Sequence, residues 1–228
     1  MDTAQYLAAG DFVDSAAPQV IAFAKGATHG AGDADAAIRR LYTAVRDGVV
    51  YDPYVNFADP ANYRASTMLA RGRGFCIGKA ALLAAGARAI GVPARVGYAD
   101  VRNHLTSRRL YDLVKTDIFM WHSYTELYLS GRWVKATPAF DSALCERAGI
   151  KPLDFDGKTD SLFQPFDPAG RRHMEYLRDR GTFADVPFAV IYADFVANYP
   201  SLMVNKGIVG DFHAEAVAEV LDEKQPGG

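Results

Sequence analysis

The stretch GRGFCIGKAALLAAGARAIGVPARVGYAD, residues 72–100, constrains this chain more than any other. A glycine-punctuated turn runs into an alanine-rich helical pattern from about Phe75 to Ile90, which Gly91 and Pro93 then end. Glycine tolerates the terminal conformation, and proline cannot continue the hydrogen-bond ladder. Ile77, Ala80, Ala81, Ala84 and Ala87 allow close helix packing, while Leu82 and Leu83 supply larger contacts. Residues 94–101 read as a strand. Cys76 falls in the first turn of this helix, where unpaired backbone N–H groups favour an anion and can stabilise a thiolate. An unreactive buried thiol is the competing reading of the local pattern.

The rest of the chain supplies elements to surround that helix. Residues 11–26 have helical spacing, with Pro18 at a boundary, and Asp33 is placed to cap a helix over 34–49 striped by Ala37, Leu41, Ala44 and Val45. Two Asp-Pro steps and several aromatics make 50–64 an ordered connection. Residues 102–120 suit a loop or short helix leading to WHSYTELYL, a strand over 121–129. Ser130-Gly131 signals a hairpin to RWVKAT, 132–137. Beyond Pro138 come a short helix in 141–150, an aromatic-anchored loop over 151–170 and a charged surface helix over 171–180. Further helices are expected over 187–197 and 212–224, ahead of a frayed QPGG end. A buried helix preceding a strand core indicates an α+β domain rather than alternating βαβ units, with residues 1–228 forming one domain.

Composition excludes several functions. With 25 basic and 27 acidic side chains, the net charge of −2 offers no basic surface for nucleic acid or an anionic membrane. Two cysteines among 228 residues argue against a disulfide scaffold or a four-thiolate zinc site, although one Cys76–Cys145 bridge would remove the nucleophile. The start, MDTAQYLAAGDF, lacks the pattern of a secretion signal, and no uncharged apolar run is long enough to span a bilayer. A cytoplasmic protein is expected, with oligomeric state unspecified.

Histidine completes the chemistry of the thiol. His122, at the front of the 121–129 strand, supplies an imidazole for proton transfer. On an uninterrupted strand it shares a face with Tyr124, Glu126 and Tyr128. Tyr124, Trp121 and Asn56 are candidate cleft residues, as is His104 in a loop beside the cleft; turn formation and core packing explain Asn56 and Trp121 equally well. His29 and His173 lack comparable surroundings, and His213 opens an amphipathic helix. Cys76, His104 and His122 have zinc-compatible ligand types without a zinc spacing. Arg71, Arg73 and Arg95 cluster too weakly to define an anion site.

Two ordered blocks carry a resemblance. Gly74-Phe75-Cys76, the apolar helix and Gly91-Val92-Pro93-Ala94-Arg95 resemble the first signature of the transglutaminase-like superfamily. Trp121-His122, Glu126-Leu127-Tyr128, Gly131 and Trp133-Val134 resemble the second, so the likeness spans residues 72–141. It implies a papain-like/transglutaminase-like α+β core in which a cysteine-bearing helix packs against an antiparallel sheet. It also implies Cys76 as nucleophile, His122 as base, and a peptide, protein or small amide substrate processed without a cofactor. The usual third residue is an aspartate before proline; here Thr137 precedes Pro138. Thr137 can accept a hydrogen bond but stabilises imidazolium less than a carboxylate would. Asp141 is the nearby alternative, and is equally suited to cap a following helix. Asp112, Asp117 and Glu126 have weaker claims. The competing function is a non-catalytic peptide-binding or structural module that retains the fold.

Overall fold

Pro18 occupies the first position of α1 (Pro18–Thr28), where its missing N–H leaves no bond unmade. Asp33 accepts the Ala36 N–H at 2.7 Å and caps α2 (Ala34–Gly48), as the sequence predicts. The computed structural model describes residues 3–104, 107–164, 166, 170, 173–204 and 210–215. After α2, β1 (Val50–Tyr51) leads to a 3-10 turn over Pro60–Tyr63 and then α3 (Ala65–Arg71). The short β2 (Arg73–Gly74) pairs in parallel with β1 and delivers the chain into α4 (Cys76–Ala89).

α4 is the helix around which the fold is built. Every residue from Ile77 to Arg88 is buried, and α1, α2, α3 and the sheet all pack against it. Small side chains make this enclosure feasible. A Cβ on Gly78 would lie 1.9 Å from Met68 Cε and 3.0 Å from the Asn62 carbonyl oxygen, so α3 and the turn before it approach the helix backbone directly. Two basic side chains are enclosed with α4. Lys79 Nζ donates to the Arg46 and Val49 carbonyls at 2.8 and 2.5 Å, tying α4 to the end of α2. Arg88 donates to the Ala8 and Ala94 carbonyls and to that of Ala184, joining three distant segments.

Four antiparallel strands in the order β5-β4-β3-β6 form the sheet. They are β3 (Ala94–Asn103), β4 (Ile118–Leu129), β5 (Arg132–Ala136) and β6 (Met174–Phe183), with α5 (Arg108–Val114) between β3 and β4. The β4–β5 hairpin turns on Ser130 and Gly131, both left-handed at φ 49° and 83°, matching the twist of the strands it joins. The two sequence blocks meet inside the sheet: Arg95 opposes Glu126, and its Nε donates to that carboxylate at 2.6 Å. α6 (Ser142–Ala148) follows β5, and α7 (Phe188–Asn198) and α8 (Pro200–Val204) follow β6. The result is an α+β fold with the cysteine-bearing helix against an antiparallel sheet.

The helix expected over 171–180 is corrected to strand β6. Its charges serve cross-strand pairing: Arg102 lies 3.4 Å from Glu175, and Arg180 grips Asp100 on β3 through two bonds of 2.7 and 2.8 Å. A charged edge strand reads locally like a solvated helix because its partners lie far away in sequence. Much of the helix expected over 212–224, with the end of the chain, lies outside the described residues. No helix among the described residues is long and apolar enough to cross a membrane.

Candidate active site

Cys76 is the first residue of α4 and follows Phe75, an extended residue with no side-chain cap. The free N–H groups of the opening turn are therefore left to the thiol, and those of Cys76 and Ile77 favour its ionised form. Burial acts more strongly in the opposite direction, so the thiol is pushed above its ordinary pKa. Ser123 presses on the sulfur from β4, where its N–H and hydroxyl also favour the thiolate. That hydroxyl is buried and makes no hydrogen bond of ordinary geometry. Ser123 is not among the residues expected from the sequence, although strand alternation places it on the face opposite His122, the face whose Thr125 bonds the Ala80 carbonyl of α4 at 2.8 Å.

His122 reaches the same pocket because β4 is bulged immediately before it. Ala99 pairs with His122 and Val101 with Phe119, so two β4 residues, Met120 and Trp121, oppose the single Asp100. Trp121 absorbs the extra length in a left-handed conformation, φ 61°, unusual for a bulky side chain. A polar network holds it there. Asp100 Oδ1 accepts the Trp121 N–H at 3.1 Å, Asp194 on α7 accepts the indole N–H at 2.8 Å, and Arg180 bonds both carboxylates while stacking 4.7 Å from the indole ring. Trp121 is thus fixed on the pocket wall, and the bulge sets the direction of the residue after it.

The imidazole itself is enclosed by apolar neighbours. The Phe163 ring lies 5.7 Å away, and His122 Nε2 is buried without a hydrogen-bond partner. Burial, reinforced by the nearby His173, lowers His122 to about 4. Burial thus disfavours the charged form of both groups and works against a resting thiolate–imidazolium pair. Cys76, Trp121 and His122 line one pocket, with a cavity volume of about 70 Å³.

The other predicted residues lie elsewhere or are committed to structure. Thr137 is buried just after β5; its carbonyl accepts the Tyr42 hydroxyl at 3.0 Å, and its own hydroxyl has no partner of ordinary geometry. Asp141 caps α6 through the Leu144 N–H at 3.0 Å, accepts the Tyr51 N–H at 2.8 Å and lies 3.2 Å from His213 Nε2, so its carboxylate is already engaged. Tyr124 packs against Gly97 and under the Lys135 ammonium, away from the pocket. His104 Nε2 lies 3.4 Å from Glu175 and also misses the pocket. Asn56 is a turn residue: its side chain accepts the Ala58 N–H at 3.1 Å.

Cys76 and Cys145 are free thiols. Among the described residues no three His, Cys, Asp or Glu side chains gather to hold a metal, so Cys76, His104 and His122 form no zinc site. The three arginines do not converge either, since Arg71 is bonded to Asn62, Arg73 faces Asp52 at 3.7 Å and Arg95 faces Glu126.

A thiol at the start of a central helix, set beside a histidine-bearing antiparallel sheet, is a frame of the papain-like cysteine-enzyme type. The chain belongs to the transglutaminase-like superfamily, whose core family model matches residues 21–138. Among curated proteins no match was found. A solved structure of a proposed cysteine protease from Cytophaga hutchinsonii is similar over 82% of this chain, at 16% identity and a TM-score of 0.49. The matched region is 48% of that protein, so this chain spans about half its length.

Proposed function

We propose that the protein is a cysteine-dependent amide hydrolase or acyltransferase working through a thioester on Cys76. One observation carries this reading: Cys76, at the open N-terminus of a helix buried from Ile77 to Arg88, shares a pocket with His122, whose Nε2 is buried without a partner. His122 takes the thiol proton as sulfur attacks the carbonyl carbon. The Cys76 N–H is available to the developing oxyanion. The imidazolium then protonates the departing amine as the C–N bond breaks, leaving the thioester. Water or an amine attacks that thioester, His122 takes its proton, and the thiol leaves reprotonated. Hydrolysis ranks slightly above transfer, because no acceptor-recognition feature stands out. Thr137 is the positional orienter of His122 in this scheme and Asp141 the alternative, although its bonds to α6 and Tyr51 commit it elsewhere.

The substrate class is a peptide, protein or small amide, the setting cytoplasmic, and the chemistry needs no cofactor. A charge of −2, and the absence of Lys and Arg among the described residues lining the pocket, favour neither nucleic acid nor membrane as partner.

The test is mass spectrometry of the intact protein after exposure to thioester donors and to a pool of glutamine-containing peptides, with and without an added amine. Acyl mass should appear on Cys76, vanish in Cys76→Ala and form roughly 100-fold or more slowly in His122→Ala. Free acid as product indicates hydrolysis, and a new amide indicates transfer. The second reading is a non-catalytic binding module, favoured by Thr137 at the usual acid position. It would be supported if no donor acylated Cys76 while ordinary alkylators labelled it at a rate independent of His122.

A further inference from the structure

The pocket that holds Cys76 and His122 has a chemical character that neither its fold nor its proposed reaction requires. Among the described residues lining it there is no Lys, Arg, Asp or Glu. Its polar groups are few, and most are already engaged. The Tyr199 hydroxyl accepts the Met120 N–H and donates to the Ile118 carbonyl, both at 2.8 Å. The Trp121 indole N–H is held by Asp194. Tyr51 and Asn103 add a phenol and a carboxamide, and Asn103 already has a partner. Most of the rest of the wall is hydrocarbon from separate parts of the chain: Leu110 and Val114 of α5, Met120 of β4, Phe195 of α7, Leu202 of α8 and Phe212. Phe212 is seated edge-on against Tyr51 and Tyr54, 5.6 and 5.9 Å between ring centres, which closes the pocket on the side of the C-terminal segment.

A lining of this kind suits an uncharged organic group, because a carboxylate or ammonium placed there would lose its water without gaining a partner. A primary carboxamide would likewise find few free groups with which to replace its hydrogen bonds to water.

We propose that this pocket is the acyl-side specificity site and that it accepts an apolar acyl group, aliphatic or aromatic, attached to the carbonyl that Cys76 attacks. The assignment rests on Cys76 being the nucleophile of the proposed reaction, but it specifies which side of the scissile bond is recognised and by what chemistry. The apolar chain occupies the space between α5, α8 and Phe212, and the leaving group points out of the mouth. Polar, charged or short acyl donors are poor substrates for the same reason.

A series of thiol alkylators tests the pocket without requiring turnover. Iodoacetamide, its N-butyl, N-hexyl and N-phenylethyl derivatives, and iodoacetate are each reacted with the full-length protein. Adduct on Cys76 is read by peptide mass, and each rate is divided by that of the same reagent with glutathione. The normalised rate should rise along the alkyl series, by up to about fourfold per methylene where the chain is fully buried. Iodoacetate should be the slowest reagent. Unreactive hexanamide should slow labelling by iodoacetamide, whereas acetamide at equal concentration should not. Met120→Lys, which puts a charge on the partly buried wall, should flatten the series, and the hexanamide competition reads the same property in the wild type if that variant fails to fold. A flat or falling series with no competition by hexanamide would overturn the proposal, as would failure of every reagent to reach Cys76. Its failure is separable from failure of the reaction. A flat series with acyl-enzyme formation removes the apolar pocket alone, and a steep series without acylation by any donor keeps the pocket and removes the acyl-transfer chemistry.

Discussion

The charge state of His122 links the site to the stability of the molecule. Its folded pKa, near 4, lies below the ordinary 6.5 because the ring is buried and His173 stands nearby. As pH falls below about 6.5 the unfolded chain takes up a proton that the folded chain refuses until about 4. The unfolded state then binds more protons, so this residue makes the protein less stable on acidification and has no effect well above pH 6.5. The loss should reach roughly 2 kcal/mol by pH 5. Denaturant titrations at pH 7 and pH 5, in wild type and His122→Gln, measure it; an equal pH effect in both proteins would refute the assignment. At this scale the helix-start position of Cys76 and the strand position of His122 can be read from the sequence, because each lies in a short local pattern. Ser123 and the orphaned hydroxyl of Thr137 cannot, since what matters about them is which buried group lies opposite, and the chain brings that group from another element.

Between elements, the decisive contact is the approach of α3 to α4 at Gly78. Any side chain there must displace Met68 or the backbone at Asn62. Gly78→Ala, which gains helix propensity in a solvated helix, is expected here to cost roughly 1–3 kcal/mol through overpacking. The thermal midpoint should fall accordingly, and Cys76, two residues earlier, should alkylate at an altered rate. Gly78→Ala combined with Met68→Ala should recover part of the loss, whereas additivity of the two substitutions would show that the close approach is not its source. The same scale separates what could be read locally from what could not. α2, α4, α6, α7 and the β4–β5 hairpin were visible through caps, small-residue spacing and turn chemistry. β6 reads locally as a helix because Glu175 and Arg180 are satisfied by Arg102 and Asp100, more than 70 positions away. The bulge at Trp121 had no local signal either, as its cause is the Asp100–Arg180–Asp194 network.

For the molecule as a whole, the N-terminal segment is fastened to the segment between β6 and α7 largely through Asp185 and Arg88. Asp185 accepts the N–H groups of Asp11, Phe12 and Val13, at distances from 2.7 to 3.2 Å, while Arg88 holds the carbonyls of Ala8 and Ala184 close by. Asp185→Asn keeps the size but loses the charge and one acceptor, weakening bonds that each count for about 1.5–3 kcal/mol when an ion accepts them. Limited proteolysis should then cut first near residues 10–17, with α4 intact; unchanged cleavage would show that the segment is held by packing alone. This fastening also bears on α4. The helix is covered on the inner side by the sheet and elsewhere by α1, α2 and α3, which the N-terminal clasp helps to keep in place. From Lys79 onward its hydrogen-bonded amide protons are enclosed, so their exchange should require global unfolding and be slower than that of α5 or α8. The thiol that starts this helix would then be anchored in the slowest-exchanging segment of the protein, and mobility at the site would belong to the walls of its pocket.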